Sequence, residues 1–371
     1  MCGKFRSFGQ QMDAFRKKPY FLVLGIMSGT STDGLDLALC RFEKKRQKWQ
    51  YHILKARTLK YSAPTKEFLR TVHSLGAAEF VSAHLQYGKI IARAVKQFLK
   101  EVPEKPFLIA SHGHTIFHNP DSLACFQLGH GGAIASLTGI PCVSDFRTQD
   151  IILGGQGAPL VPLGDIELFN SYDGCLNLGG ISNISFIKNN QAKAFDISPC
   201  NLPLNLVASK LGKQFDKGGK IASAGSVNAD FLKALNQHEY YGQRGPKSLG
   251  REWLEREFMP VLSRFAHLQA PDMLATLCEH IAFQTGSAIG QNRLTKVLTT
   301  GGGAHHQHLI NRIRYYSGKT EIIVPERLTI DFKEALIFAF LGLFRFLSLP
   351  NTLPSVTGSS SASSSGSLWL P

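Results

Sequence analysis

The sequence predicts an α/β fold of two similar domains, and three observations carry that prediction. Strand-like apolar runs alternate with helical periodicity along the chain, the pattern of sheets covered by helices. A strand–glycine turn–strand pattern occurs twice, around Gly29 and around Gly180, about one domain length apart. With 371 residues, 43% of them apolar, and with 35 Gly and 25 Phe, the chain has material for two cores.

Residues 1–19 are polar and read as a flexible N-terminal extension. From Tyr20, YFLVLGIMSGT leads through a Gly/Ser/Thr turn into STDGLDLALCRFE. There Leu35, Leu37 and Leu39 alternate with Asp36, Ala38 and Cys40, as in a hairpin. Lys66–Gly76 and Glu79–Lys100 read as helices; in the second, Val81, Leu85, Gly88, Ile91, Val95 and Phe98 recur at helical spacing. Phe107–Ser111 reads as a short buried strand ending at HGHT, followed by a helix at Gly132–Thr138 and a strand in PCVSD. Cys175–Ile187 repeats the hairpin, and KAFDIS makes a strand ending near Asp196. Helices are expected from about Asn205 to Gly212, at Arg251–Phe265 and at Asp272–Gln291. KVLTTGGGAHHQHLINRI reads as strand, glycine turn and helix, EIIVP as a strand, and Lys333–Leu347 as a helix. The end, SVTGSSSASSSGS, is Ser/Gly-rich and reads as flexible. The expected domains are 20–170 completed by 335–371, and 171–334.

Composition excludes several classes. Charged residues at 18% argue against a disordered or coiled-coil chain. The apolar run Phe21–Met27 is far short of a bilayer span and no small-residue cleavage site follows it, so neither a membrane anchor nor a secretory signal is expected. Seven irregularly spaced cysteines without a C-x-x-C pair predict reduced thiols in a cytoplasmic protein. The net charge of +14 favours phosphate-bearing ligands. Its clusters, Arg16–Lys18 and Lys44–Lys48, lack interleaved aromatics, so no nucleic-acid partner is expected.

The turn Gly25–Asp36 concentrates Gly, Ser and Thr, whose backbone N–H groups and hydroxyls suit a phosphate. It is not a Walker loop, since no GK[ST] follows. Asp33 and Asp36 suit hydrated Mg²⁺. Leu178–Ser182 repeats the turn in the second half, and Gly301, Gly302 and Gly303 open a helix, whose N-terminus favours negative charge. Three glycine turns at strand ends point to a nucleotide more strongly than any one of them. Asp196, ending a strand in FDISPCN, reads either as a general base or as a cap for Pro199–Asn201. Glu334 by default favours its helix start. Neither His112, His114 and His118 nor His305, His306 and His308 has metal-ligand spacing, and no G-x-S-x-G elbow supports a serine hydrolase.

MSGTSTDGLD resembles the opening signature of the anhydro-N-acetylmuramic acid kinases. So do SHGHT, SDFR with GGQGAPLVP, LNLGGISNIS, RGPKSLGRE, TGGGAHHQHL and the late VTG, in the family's order over about residues 22–371. The resemblance implies two actin-like ATPase (ribonuclease H-like) domains around a central cleft. It implies that Gly29, Thr30, Ser31, Thr32, Asp33, Gly34, Leu35 and Asp36 bind ATP phosphates, with Gly179 and Gly180 in the facing turn and Gly301–Gly303 beside adenosine. Asp196 matches the family's catalytic aspartate. Asp145, Arg147, Gln156, Asn201 and Glu334 fall on the sugar side. The implied reaction consumes ATP with Mg²⁺, opens the 1,6-anhydro bridge of 1,6-anhydro-N-acetylmuramate and phosphorylates O6. That is a step of cell-wall sugar recycling in a cytoplasmic enzyme, and the family suggests a homodimer. The alternative is a non-catalytic sensor of the same fold. One departure bears on the site: Ser198 and Cys200 stand where the family usually has glycines. Either the loop keeps a path with φ > 0, costly for Ser or Cys, or it follows another path with Cys200 packed as a small apolar group.

Overall fold

A computed structural model of the chain describes residues 19–371 except 30, 31, 33 and 244–246, so nearly all of the expected N-terminal extension lies outside the described residues. Among the described residues there are twelve strands: β1 Phe21–Ser28, β2 Gly34–Lys45, β3 Lys48–Lys60, β4 Leu108–Asn119, β5 Ala124–Leu128, β6 Cys142–Ser144, β7 Gly174–Leu178, β8 Ile181–Lys188, β9 Gln191–Pro199, β10 Lys296–Thr300, β11 Glu321–Ile323 and β12 Ser367–Trp369. The chain divides into two compact units, one reaching Leu168 and resuming over Phe332–Pro371, the other Phe169–Asp331.

The first unit's sheet has the order β12-β6-β4-β1-β2-β3, with β5 on β4; the second unit's has the order β11-β10-β7-β8-β9. In each, three strands form an antiparallel meander, β1-β2-β3 and β7-β8-β9. Two further strands add in parallel beyond the meander's first strand, β4 and β6 in one unit, β10 and β11 in the other. The α/β class and the duplication expected from the two glycine hairpins are both present in this shared order.

β1 is buried along nearly its whole length, as a central strand covered on both faces must be. Gly25 permits that cover: a Cβ there would collide with the backbone carbonyl of Ala335, on the helix Arg327–Phe346. The β2–β3 hairpin turns at Arg46 and Gln47, both at positive φ (47° and 69°), and the basic run Lys44–Lys48 lies exposed on it. Each unit has its own apolar core, around Leu24, Leu37, Ile91 and Ile109 in the first and around Leu176, Ile184, Leu277 and Val297 in the second.

Four expectations need correction. The strand expected over 107–111 runs on to Asn119, because the polar HGHT residues find partners inside the fold. The helix expected from about Asn205 spans Asn201–Ser209. The helix expected over 251–265 is interrupted by a π-turn at Leu254–Phe258. The serine-rich end is packed: Ser359, Ser363 and Ser365 are buried, and Asn351 bonds the backbone of Ser365 through both its oxygen and its nitrogen. The segment then pairs as β12 against β6, where Trp369 Nε1 donates to Ser144 Oγ at 3.1 Å. Short hydroxyl side chains satisfy nearby backbone groups without needing an apolar face. Among the described residues no helix is long and apolar enough to cross a membrane.

Candidate active site

In the first unit, β1 delivers the chain to the turn at Gly29. Thr30, Ser31 and Asp33 lie outside the described residues. Thr32 has φ 54° and donates its N–H to the Gly29 carbonyl at 3.2 Å. Gly34 and Leu35 are not in the turn: both are buried in β2, opposite Lys60 and Leu59 of β3. Asp36 is half-buried, and its Oδ1 accepts from Thr58 Oγ1 at 2.5 Å. Beneath the turn, Ser28 Oγ meets His114 Nδ1 at 2.9 Å and the hydroxyls of Tyr61 and Tyr87 at 2.8 and 3.0 Å. These bonds anchor the end of β1 to β4 and fix where the turn begins.

β6 lies parallel to β4 and ends at Ser144, so the SDFR segment emerges beside the HGHT half of β4. Asp145 (φ 58°) accepts from Thr148 N–H and Oγ1 at 3.3 and 2.7 Å and so caps the short helix Thr148–Ile152. Arg147 donates to the Gly157 carbonyl at 2.6 Å and to His112 Nε2 at 2.8 Å. His112 donates from Nδ1 to the Gly113 carbonyl at 2.9 Å, which leaves Nε2 as the acceptor. Burial and the neighbouring Arg147 hold this imidazole neutral, its pKa well below the usual histidine range. Gln156 is exposed, and its N–H binds the Thr357 carbonyl. Beside it the buried Asp150 accepts from Gly157 N–H and Thr357 Oγ1, both at 2.8 Å, which joins the GGQG and VTG segments.

The helix expected from Lys333 begins at Arg327 and ends at Phe346, so Glu334 stands inside it and not at its start. Surrounding protein pushes its carboxyl up, Lys333 pulls it down, Asp36 pushes it up and Arg147 pulls it down. Water reaches the side chain, which limits the size of that push. Asp36, Arg147 and Glu334 are thus electrostatic neighbours within one unit.

In the second unit, the turn between β7 and β8 is Gly179–Gly180, and their carbonyls accept from the first N–H groups of the helix Asn201–Ser209. Cys200 and Leu202 donate to Gly180 at 2.8 and 3.2 Å, and Asn201 to Gly179 at 3.1 Å. This explains the early helix start, since the hairpin does the capping. The N–H of Gly180, anti to the Gly179 carbonyl across a trans peptide, faces away from the helix. Asn201 Nδ2 also donates to the Leu178 carbonyl at 2.8 Å. β10 lies parallel to β7 and ends in the Gly301–Gly303 turn. Gly301 has φ 82°, and a Cβ there would lie 2.5 Å from Asn177 Oδ1 and 2.8 Å from Leu178 carbonyl atoms. Both glycine turns and Asn201 therefore meet at one sheet edge.

β9 is antiparallel to β8 and so runs with β7, which brings Asp196 toward that same edge. Its carboxylate accepts from Leu249 N–H at 2.8 Å. Its own N–H donates to the Lys247 carbonyl at 3.0 Å, and its carbonyl accepts from Tyr240 OH at 2.6 Å. Desolvation raises its pKa above the ordinary aspartate range, against the single backbone donor. A carboxylate so placed can take a proton, and Asp196 is no cap for the Pro199–Asn201 segment.

Neither Ser198 nor Cys200 is among the residues at positive φ. Ser198 is buried and exchanges hydrogen bonds with Ser182 Oγ through its N–H and carbonyl. Cys200 (φ −127°) is fully buried in the second core, and burial pushes its thiol up to about 12. Neither position therefore needs glycine for a positive φ, and Cys200, at φ −127° and ψ −95°, lies outside the regular helix and strand regions.

Sequence reasoning assigned no role to Tyr240, Leu249, His112, Asp150 or Thr357. RGPKSLGRE, SHGHT and VTG marked their segments, but the pairings span up to 207 residues of chain and left no local signal. Among the described residues no cluster of His, Cys, Asp or Glu is arranged to hold a metal directly.

The family model described as anhydro-N-acetylmuramic acid kinase matches residues 21–371. A relative of that name from Pseudomonas syringae pv. tomato is 34% identical over 362 residues, covering 91% of this chain and 96% of its own. Another, from Vibrio cholerae serotype O1, is 34% identical over 376 residues, covering 94% and 98%. Among solved structures, the (R)-2-hydroxyglutaryl-CoA dehydratase component A of Acidaminococcus fermentans aligns at 13% identity and a TM-score of 0.47, covering 88% of this chain and 99% of its own.

Proposed function

The chain belongs to the anhydro-N-acetylmuramic acid kinase family, and we propose on that footing that it hydrolytically opens the 1,6-anhydro bridge of 1,6-anhydro-N-acetylmuramate and phosphorylates O6 with ATP. Water attacks C1, Asp196 accepts the water's proton, and the C1–O6 bond breaks. O6 then bonds to the γ-phosphorus as its bond to the bridging oxygen of ADP breaks. The products are N-acetylmuramate 6-phosphate and ADP, and the proton on Asp196 returns to solvent.

The observation that carries this reading is the setting of Asp196: a desolvated carboxylate, held by one backbone donor, near the sheet edge where two glycine turns meet. A raised pKa makes it a stronger base than an exposed aspartate. On family grounds the N–H groups of the Gly29 and Gly179–Gly180 turns bind the ATP phosphates and Gly301–Gly303 lies beside the adenosine, because phosphoryl transfer depends on positioning and charge stabilisation. Arg147, oriented by His112 and Gly157, together with Glu334 serves the sugar. Asp145 and Asn201 support by holding their turns, and Gln156 remains exposed for contact. Mg²⁺ accompanies ATP in this reading, and the all-oxygen carboxylate of Asp36 would hold it through water; when bound it neutralises phosphate charge. A cytoplasmic place in cell-wall sugar recycling and a homodimeric state accompany the reading, on family grounds.

The test is release of ADP by the purified full chain given ATP, Mg²⁺ and the anhydro-sugar. The enzyme releases ADP only with the sugar present; a sensor would bind both ligands and release none.

A further inference from the structure

The second unit contains a cavity of about 740 Å³ that no part of the proposed reaction uses, within the size range of small-molecule sites. It lies between the β8–β9 hairpin and the C-terminal half of the helix Ala270–Gln291. Lys188, Lys193 and Lys247 reach it, and among the described residues lining it there is no carboxylate. Among the described residues these ammonium groups donate to neutral oxygens, Lys188 to Asn292 Oδ1 at 3.2 Å, Lys193 to Gln191 Oε1 at 3.1 Å and Lys247 to the Tyr240 carbonyl at 2.9 Å, with Lys247 also 4.4 Å from the Tyr240 ring centroid. Three cations around one concavity without a counter-charge favour an anion.

The walls narrow the class further. Phe195 and Tyr241 line it with aromatic surface, which suits the C–H groups of a sugar. Gln284 is nearly buried and fixed by donating to Asn236 Oδ1 at 2.8 Å. The same Asn236 oxygen accepts from His280 Nδ1 at 2.7 Å, so His280 Nε2 accepts from Tyr241 OH at 3.0 Å. The polar floor is therefore ordered before any ligand arrives, and it leaves the Gln284 carbonyl oxygen for a hydroxyl or acetamido N–H. The cavity also adjoins Asp196. Ile197 lines it from the opposite face of β9, and Lys247, which lines it too, holds the Asp196 N–H through its carbonyl.

We propose that this cavity is a second binding site for an anionic amino sugar, the class of the reaction's phosphorylated product, and that its occupancy slows turnover through Lys247 and the backbone that holds Asp196. An anion drawing the Lys247 ammonium off the Tyr240 carbonyl disturbs the strand of contacts that positions the Asp196 backbone. The feedback half of this inference rests on the proposed role of Asp196; the binding half does not.

Titration calorimetry of the full chain with N-acetylmuramate 6-phosphate, without nucleotide, tests the binding half. Two binding events are expected in the wild type. Lys188→Gln/Lys193→Gln, two changes on a hairpin outside the catalytic machinery, should weaken one of them at least ten-fold. In the kinase assay the same variant should keep its basal kcat and KM within two-fold yet lose the noncompetitive part of product inhibition. A single event untouched by the double variant overturns the proposal, as does equal binding of inorganic phosphate or of neutral N-acetylglucosamine at the second site. Two events with no feedback on turnover overturn the regulatory half. If the chain releases no ADP at all, the kinase reading fails while the calorimetry still decides the site.

Discussion

Replacing Asp196 by asparagine separates chemistry from folding at one position. The asparagine oxygen can still accept from Leu249 N–H, and the backbone contacts to Lys247 and Tyr240 do not involve the side chain. What is lost is the capacity to take a proton, about 10²–10⁴ in rate and so about 3–5 kcal/mol of barrier. Stability should move the other way. A carboxyl whose folded pKa is raised contributes stability that is fully present below its unfolded pKa, about 3.9, and lost as pH rises through the folded value. Above the folded pKa the Asp196 carboxylate is therefore a net burden on the fold, and the neutral asparagine relieves it. The assay is kcat by coupled ADP detection beside a thermal melt at pH 7 and at pH 4. The expected result is a loss of at least a hundred-fold in kcat with a melting temperature at pH 7 equal to or above that of wild type. In the wild type the acid limb of kcat/KM should lie above the ordinary aspartate pKa. Turnover within a few-fold of wild type would refute the base assignment; a clear drop in melting temperature would show that Asp196 is chiefly a structural acceptor.

Three further substitutions follow from the packing. Ser198→Gly/Cys200→Gly removes a buried thiol and the Ser198 side chain from backbone that does not need glycine, so it should cost about 2 kcal/mol and lower turnover; a variant both more stable and faster would contradict the observed loop path. Gly301→Ala puts a Cβ 2.5 Å from Asn177 Oδ1 at φ 82°, and should weaken ATP binding, read by fluorescent-nucleotide titration, more than it affects sugar binding. Asp150→Ala strands the buried Gly157 N–H, while Thr357 Oγ1 keeps the Leu353 carbonyl and Ser359 Oγ within reach, and should cost about 1–3 kcal/mol, read as a lower denaturation midpoint.

Hydrophobic patterning exposed much of this fold and little of its polar wiring. The alternation of Leu35, Leu37 and Leu39 marked β2, and the glycine turns marked both hairpins, because each is a local signal. The extension of β4 through His112 and His114 was invisible, since its partners Arg147 and Ser28 lie 35 and 86 residues away. The packed serines near the C-terminus misled for a related reason: composition records polarity but not whether Asn351 and Thr352 stand ready to satisfy it. The start of the helix at Asn201 depends on carbonyls of Gly179 and Gly180, a cap supplied by another hairpin. At the site, Asp196 and the glycine turns were legible as motifs, whereas the contacts that set the basicity of Asp196, from Leu249 and the surrounding protein, exist only once the chain has folded.

The mass of the product made in ¹⁸O-labelled water tests the central claim most directly. Purified full chain, ATP, Mg²⁺ and 1,6-anhydro-N-acetylmuramate should give a product heavier than the sugar by one phosphate and one water, with the single ¹⁸O on C1. A phosphorylated product that has gained no water, or one whose label sits in the phosphate, would contradict the coupled opening and phosphorylation in which Asp196 activates the attacking water.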